Sequence, residues 1–230
     1  TDGTLALSSG DDGVHAEESL SIAGGSVTVE RSYEGLEGTD ILISGGEIDV
    51  TSSDDGLNVS ADTASADGRG GGMQTIDGGV VVSGGTVVLN AGGDGFDSNG
   101  DAEITGGTIV VWGPTSNGNG ALDVNGTFTI SGGTLLAVGS SGMAETPDAD
   151  SSQGWLQSAT SASAGQTVQV TSGSTVLYEF TVEKGFVNLV YSSPQVKSGS
   201  SYSVSVDGTS TSVTAGQATG SSMGGRPPGR

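Results

Sequence analysis

The 230-residue chain contains no cysteine and few basic side chains, and each shortage removes a class of function. Without cysteine the protein can form neither disulfide bonds nor thiolate metal sites. Its 6 Lys and Arg residues stand against 27 Asp and Glu residues, which gives a net charge of −21. Because nucleic-acid binding requires a basic surface, this composition argues against a nucleic-acid partner. No apolar run approaches membrane-spanning length, so we expect no membrane insertion.

The chain also lacks segments with apolar residues at helical spacing, and it has 5 Pro beside 43 Gly. The glycines recur at regular positions between Val, Ile and Leu, which indicates ordered tight turns rather than disorder. We therefore expect an all-β protein. No signal peptide is visible, and we interpret the chain as the mature form of an exported protein, located outside the cell or on its surface.

A short phrase containing Gly-Gly occurs five times, with apolar and polar residues alternating on both sides of it. This alternation predicts two strands per repeat, joined at a bend where glycine can adopt a positive φ. A third strand opens each repeat with a further apolar residue. Since similar residues align in columns over five repeats, the pattern predicts a parallel β-helix in which each repeat forms one rung. The glycine pairs are Gly24-Gly25, Gly45-Gly46, Gly84-Gly85, Gly106-Gly107 and Gly132-Gly133.

The repeats end near residue 150, and this change divides the chain into three predicted regions. Residues 1–150 are predicted to form the β-helix, interrupted by an insertion across Ala61–Thr75. Residues 151–215 contain four short strand patterns and predict a small antiparallel β unit that packs on or caps the β-helix. Residues 216–230 are rich in Gly and Pro and are predicted to be a flexible tail.

Each rung carries an acidic or amide residue in the turn before its first strand. Most rungs carry one more polar residue at the second position after the turn glycine. In a parallel solenoid such residues stack one strand spacing apart. Like charges at about 5 Å cost roughly 1–3 kcal/mol per pair unless a cation lies between them. Oxygen ligands of this kind favour calcium over zinc or copper. We therefore predict calcium on an acidic ladder of ten residues: Asp12, Glu34, Glu37, Asp54, Asp55, Asn58, Asp94, Asp97, Asn99 and Asp123.

A structural interpretation of these turns stays open, because Asp and Asn in Asp-Gly and Asn-Gly turns bond their own backbone. Repetition over successive rungs favours the metal interpretation. His15 shares a column with Glu37, but as the one histidine of the chain it is expected to cap a turn rather than to bind metal. Asp123 joins the same column if one residue is inserted at Gly120-Ala121.

Several phrases of the chain resemble one protein family: "DDGLNVS" at 54–60, "GPTSNGNGALD" at 113–123 and "GSSGMA" at 139–144. They resemble the secreted carbohydrate-binding parallel β-helix proteins, which bind calcium and are similar in shape to calcium-dependent polysaccharide lyases, including pectate lyases. The resemblance is strong over residues 10–150. It implies a right-handed β-helix, bound calcium, and a polysaccharide partner such as cellulose or an acidic plant polymer like polygalacturonate.

Three classes of function therefore compete. A lyase needs a base near the metal, but residues 1–150 contain no Lys, and Arg31 and Arg69 are hard to deprotonate. We favour a non-catalytic binding module, in which calcium bridges acidic protein and polysaccharide, with Tyr33 and Trp112 as candidate platforms for sugar rings. Trp112 has an alternative role as a packing contact with the C-terminal unit. The third class is a structural solenoid that associates end to end into a surface filament.

Overall fold

The structure is a computed structural model that describes residues 2–61 and 75–218. Within these residues it is all-β and contains no α-helix. None of the described segments is therefore a helix long and apolar enough to cross a membrane. Most of the predicted insertion, including Arg69, and most of the predicted tail lie outside the described residues.

A β-solenoid of about six turns forms the larger part of the molecule. Its strands pair in parallel with the preceding and following rungs, as the repeat pattern predicts. Long strands run through the glycine pairs, and a separate row of three-residue strands carries the first apolar column of later rungs. The strands are β1 (Thr4–Ser8), β2 (Val14–Ser32), β3 (Leu36–Ser52), β4 (Leu57–Val59), β5 (Gly79–Asn90), β6 (Phe96–Ser98), β7 (Asp101–Trp112), β8 (Leu122–Val124), β9 (Phe128–Ile130) and β10 (Thr134–Gly139).

The strand register confirms the predicted core columns residue by residue. Each apolar position that the alignment places in one column is paired with its counterpart on the next rung. Most of these side chains are fully buried, and stacking them in columns gives the solenoid one continuous hydrophobic core. Two of the columns are Ile22–Ile43–Val82–Ile104–Ile130 and Val14–Leu36–Leu57–Phe96–Leu122.

The stacked glycine pairs form one corner of the solenoid, which we call the glycine corner. The second glycine of each pair has a positive φ, for example +86° at Gly85. The first glycine lies against the previous rung, because a Cβ on Gly84 would stand 2.6 Å from the carbonyl oxygen of Ser44. Both glycines are therefore required: one for backbone conformation and one for the close approach of rungs.

Residues after 150 divide between two sheets. The strands β11 (Trp155–Ser158) and β14 (Asn188–Ser192) extend the solenoid sheet, and β14 pairs antiparallel with β10. A separate four-stranded antiparallel sheet has the order β13-β12-β15-β16. Its apolar face packs on the outer face of the solenoid in a second core cluster. The strands of this sheet are β12 (Thr167–Ser172), β13 (Thr175–Thr181), β15 (Ser201–Val206) and β16 (Thr209–Thr214).

Residues 140–154 close the last rung without forming a strand of their own. Three side chains of this segment accept the hydrogen bonds that another strand would accept. Oxygens of Glu145, Asp148 and Ser151 bind the backbone N–H groups of the last rung at 2.9, 2.9 and 3.1 Å. These caps satisfy an edge that would otherwise be free to pair with another chain.

Candidate metal and carbohydrate site

The turns that carry the acidic ladder stack directly on one another. Backbone hydrogen bonds join the first three turn glycines to the acidic residue of the next rung: Gly13 N–H donates to the Glu34 carbonyl at 2.8 Å, and Gly56 N–H to that of Asp94 at 2.9 Å. Beyond the turns, strand pairing aligns the second column. That column is His15–Glu37–Asn58–Asp97–Asp123, as the alignment predicts.

The last rung requires one correction. Asp97 pairs with Asp123 with no inserted residue, so the predicted insertion at Gly120-Ala121 is wrong. Gly120 takes the position of Asp94, and its N–H donates to Asp94 Oδ1 at 2.5 Å. The turn column therefore ends without a carboxylate on this rung, while the second column continues.

Burial raises the pKa of the carboxyl groups in the middle of the ladder. It raises the pKa of Asp55 to about 7 and that of Asp94 to about 6, although each accepts a backbone hydrogen bond that opposes the shift. The pKa of Asp97 rises to about 8, first through burial and then through the charges of Asp55 and Asp123. These groups are crowded with like charge and removed from water, and both effects raise their pKa values. A cation bound among them would lower these pKa values instead.

Asn58 lies inside this crowded segment and leaves one oxygen without a partner. It is only 7% exposed, and its Nδ2 donates to Glu34 at 2.6 Å. Its Oδ1 is buried and has no hydrogen-bond partner. Glu37 and Asp97 are its neighbours in the column. An unsatisfied amide oxygen costs about 1–3 kcal/mol, and an oxygen of this type is a calcium ligand.

The first full rung has a different arrangement. His15 Nδ1 lies 2.5 Å from Glu37 Oε2 and 3.7 Å from Asp12 Oδ2. Burial and a hydrogen bond with Glu37 raise the pKa of Asp12. Burial also acts to raise the pKa of Glu37, but hydrogen bonds from Ser60 and His15 outweigh it and lower that pKa. In the part of the chain that the structure describes, this trio is the one group of three or more Asp, Glu or His residues whose ligand atoms all lie within 4.8 Å of one another.

Comparison with protein families decides the class of the molecule. A family model described as "Carbohydrate-binding domain-containing protein" matches residues 1–220. The chain belongs to this family. No curated protein and no solved structure matches it.

The carbohydrate-binding domain presents one of its two predicted aromatic platforms. Tyr33 is 50% exposed beside the ladder, and a hydrogen bond with Asp54 raises its pKa. Trp112 points out of the solenoid, as strand parity predicts, but the appended sheet covers it. Trp112 is only 4% exposed, and its ring packs edge-on against Phe180 with 5.8 Å between the ring centroids. Trp112 therefore joins the two sheets and has no open face for a sugar.

One further side chain of the domain, Glu145, lies at the ladder and was not predicted there. Burial raises the pKa of Glu145 to about 7, and the nearby charges of Asp123 and Asp94 add to the shift. Glu145 therefore extends the acidic ladder onto the closing segment. Asn99, which the sequence assigns to the ladder, is already engaged, because its Oδ1 accepts a hydrogen bond from Asn125 at 2.8 Å.

Lys184 brings a cation from the appended unit to the surface of the solenoid. Its Nζ donates to Asn90 Oδ1 at 3.0 Å and to the Ala91 carbonyl at 2.5 Å. Burial lowers the pKa of this ammonium group. Both partners precede the Gly93-Asp94 turn, so Lys184 ties the appended unit to the solenoid close to the ladder.

The donor set of the middle ladder fits calcium. Its carboxylates and the free oxygen of Asn58 are hard oxygen ligands, and turn carbonyls lie beside them. Outside the His15 trio, the described carboxylates do not form a ready-made cage of three ligands within 4.8 Å. A calcium ion on the middle rungs would therefore take part of its six to eight ligands from amide and backbone oxygens and from water.

Proposed function

We propose that this carbohydrate-binding domain is a calcium-dependent, non-catalytic module that holds polysaccharide along the acidic ladder, outside the cell. The observation that carries the proposal is the buried, unpartnered Oδ1 of Asn58 among carboxyl groups removed from water. With a cation on the ladder, this oxygen gains a partner and its acidic neighbours are stabilised in their ionised form.

The residues proposed to hold calcium are those of the middle rungs. They combine turn carboxylates with the second column, and all offer oxygen. When bound, calcium supplies open coordination positions for the hydroxyl or carboxylate oxygens of a sugar. The proposed ligands are Glu34, Asp55, Asn58, Asp94, Asp97 and Asp123.

The proposed ligand is a plant-type polysaccharide, either cellulose or an acidic polymer such as polygalacturonate. Residues 1–150 of the protein are strongly acidic, so direct contact with an acidic polymer would be repulsive without an intervening cation. Tyr33 lies half-exposed beside the ladder, where its ring can contact the flat face of a sugar unit. The polymer is therefore proposed to run along the ladder, across successive rungs.

The absence of a lysine from residues 1–150 supports binding over elimination. Residues 1–150 contain no Lys, and the Nζ of Lys184 is held by Asn90 and Ala91. No hydrogen bond directs this amine toward the carboxylates of the ladder in the described residues. A calcium-dependent lyase remains the alternative, and the same experiment addresses it.

Affinity electrophoresis through gels containing polygalacturonate, cellulose or xylan tests the proposal. We expect retardation in at least one gel with calcium, and its loss with chelator. Asp97→Asn should weaken retardation, whereas Asp49→Asn, an exposed acid on β3 away from the ladder, should not. Retardation that is independent of calcium would contradict the metal role, and rising ultraviolet absorbance from unsaturated sugars would identify a lyase.

A further inference from the structure

We propose that Asp12, His15 and Glu37 form a second, separate metal site that binds a d-block cation of the zinc type rather than calcium. This assigns Asp12 and Glu37 to a site of their own at the outer end of the acidic ladder. It also gives His15 a ligand role in place of the turn-capping role expected from the sequence.

The backbone brings the three side chains together. Asp12 stands in the first turn, and His15 and Glu37 are register partners on the adjacent strands β2 and β3. Their ligand atoms lie within 4.8 Å of one another, with His15 Nδ1 at 2.5 Å from Glu37 and 3.7 Å from Asp12. Because strand pairing sets these positions, the trio is assembled before any ion arrives.

The ligand types distinguish this rung from the others. The corresponding position on the later rungs is Glu37, Asn58, Asp97 or Asp123, which offer only oxygen ligands here. His15 is the single imidazole of the chain. Imidazole nitrogen suits zinc, copper and nickel, whereas calcium takes oxygen ligands almost exclusively. One nitrogen and two carboxylates match a zinc site with three protein ligands and an open position.

The surroundings of the trio also fit a bound cation. The side chains are accessible, with exposures of 43% for His15, 20% for Asp12 and 16% for Glu37, so an ion can enter. Ser60 Oγ donates to Glu37 Oε1 at 2.7 Å and orients that carboxylate from behind. Among the described residues no Lys or Arg forms an ion pair with either acid. A metal ion would replace the protons that the three groups now share.

The histidine ring gives a direct measurement. With isotope-labelled histidine, the full-length chain yields NMR signals from one ring alone. After treatment with chelator and addition of excess calcium, one equivalent of zinc should shift the ring nitrogens of His15. Ring signals that zinc leaves unchanged, or that calcium alone shifts in the same way, would overturn the proposal.

Variants separate this site from the calcium proposal. His15→Gln and Glu37→Gln should each weaken zinc binding at least about tenfold in calorimetry. Glu18→Gln removes an exposed acid from β2, the strand of His15, and should bind zinc like the parent protein. Zinc affinity that is unchanged in His15→Gln, with circular dichroism confirming the fold, would refute the site. Stabilisation by calcium should persist in His15→Gln, and its absence in every variant would refute only the calcium proposal.

Discussion

The glycine corner and the acidic ladder lie on the same rungs: the corner is built from stacked bends within the long strands, and the ladder begins at stacked turns between strands. At the glycine corner side chains are absent, so backbones approach closely and each rung fits the next. At the ladder charged side chains are kept, although stacking half-buries them and raises their pKa values. Repetition at the first corner serves packing, whereas repetition at the second costs stability, which the cation that we propose there would restore.

Adding a methyl group at the glycine corner should have the largest effect. An alanine at position 85 would have to keep the positive φ of Gly85, and its Cβ would stand 2.8 Å from the carbonyl oxygen of Gly46. We expect Gly85→Ala to lower the free energy of unfolding by about 2–4 kcal/mol, measured in urea. Gly165→Ala is the matched control, because Gly165 has the same sign of φ but open space around it, and should cost about 1 kcal/mol. Equal losses would show that rung stacking adds nothing to the strain.

The ladder should make stability depend on pH in an unusual direction. Asp55, Asp94 and Asp97 have pKa values of about 7, 6 and 8 in the fold, against about 4 in an unfolded chain. Between these values the folded chain holds more protons, so stability falls as pH rises. With chelator present, we expect a loss of at least about 1.4 kcal/mol between pH 5 and 8.

Calcium should remove this loss by stabilising the ionised carboxylates. The melting temperature should therefore rise with calcium more at pH 8 than at pH 5, in calorimetric scans at constant ionic strength. An equal rise at both pH values would indicate a calcium effect that does not involve the ladder.

Removing one ladder charge should have opposite effects with and without calcium. Without calcium at pH 8, Asp97→Asn should stabilise the protein by about 1 kcal/mol, because a buried charge is lost. With calcium the same variant should be less stable than the parent protein, because a ligand is lost. Asp49→Asn should change stability by less than about 0.5 kcal/mol in both conditions. Destabilisation of Asp97→Asn in both conditions would contradict the contrast between the two corners.

The smallest expected effect concerns the exposed ring beside the ladder. Tyr33→Ala should weaken polysaccharide binding roughly two- to tenfold, as expected for an aromatic contact of about 0.5–1.5 kcal/mol. Thermal stability should hardly change, because the side chain is half-exposed. Leu42→Ala, an equally exposed apolar residue on β3, should leave binding unchanged. A similar loss in both variants would point to a general surface effect.

The repeat made the solenoid and most of the ladder predictable from sequence. Glycine pairs set the register, and the register sets which residues share a column, so Glu37, Asn58 and Asp97 could be aligned in advance. The position of Glu145 at the ladder could not be predicted, because this residue follows the last glycine pair, in a segment without periodicity. The polar strand β16 was also not predicted, because its Ser and Thr residues give little contrast in polarity between its two faces.

Contacts between distant parts of the chain could not be predicted in the same way. Strand parity correctly directs Trp112 outward, and its alternative role as a packing contact with the C-terminal unit is confirmed, but only the position of the appended sheet shows that Phe180 makes this contact. Likewise, Lys184 contacts Asn90 and Ala91 across a large separation in sequence. A column alignment describes neighbours on successive rungs and contains no information about a unit that packs from outside.

The capped last rung gives the molecule a direction of growth. Glu145, Asp148 and Ser151 terminate one end, and β14 reverses the strand direction beside β10. A duplicated rung is therefore compatible with places before β5, because the appended unit contacts Asn90 after β5, Trp112 at the end of β7, and β10 itself. Gene duplication at such places would lengthen the ladder without rebuilding the appended sheet. Each added rung would add one binding position along the ladder. Changes in the number of rungs could therefore adjust the avidity for a repeating polymer.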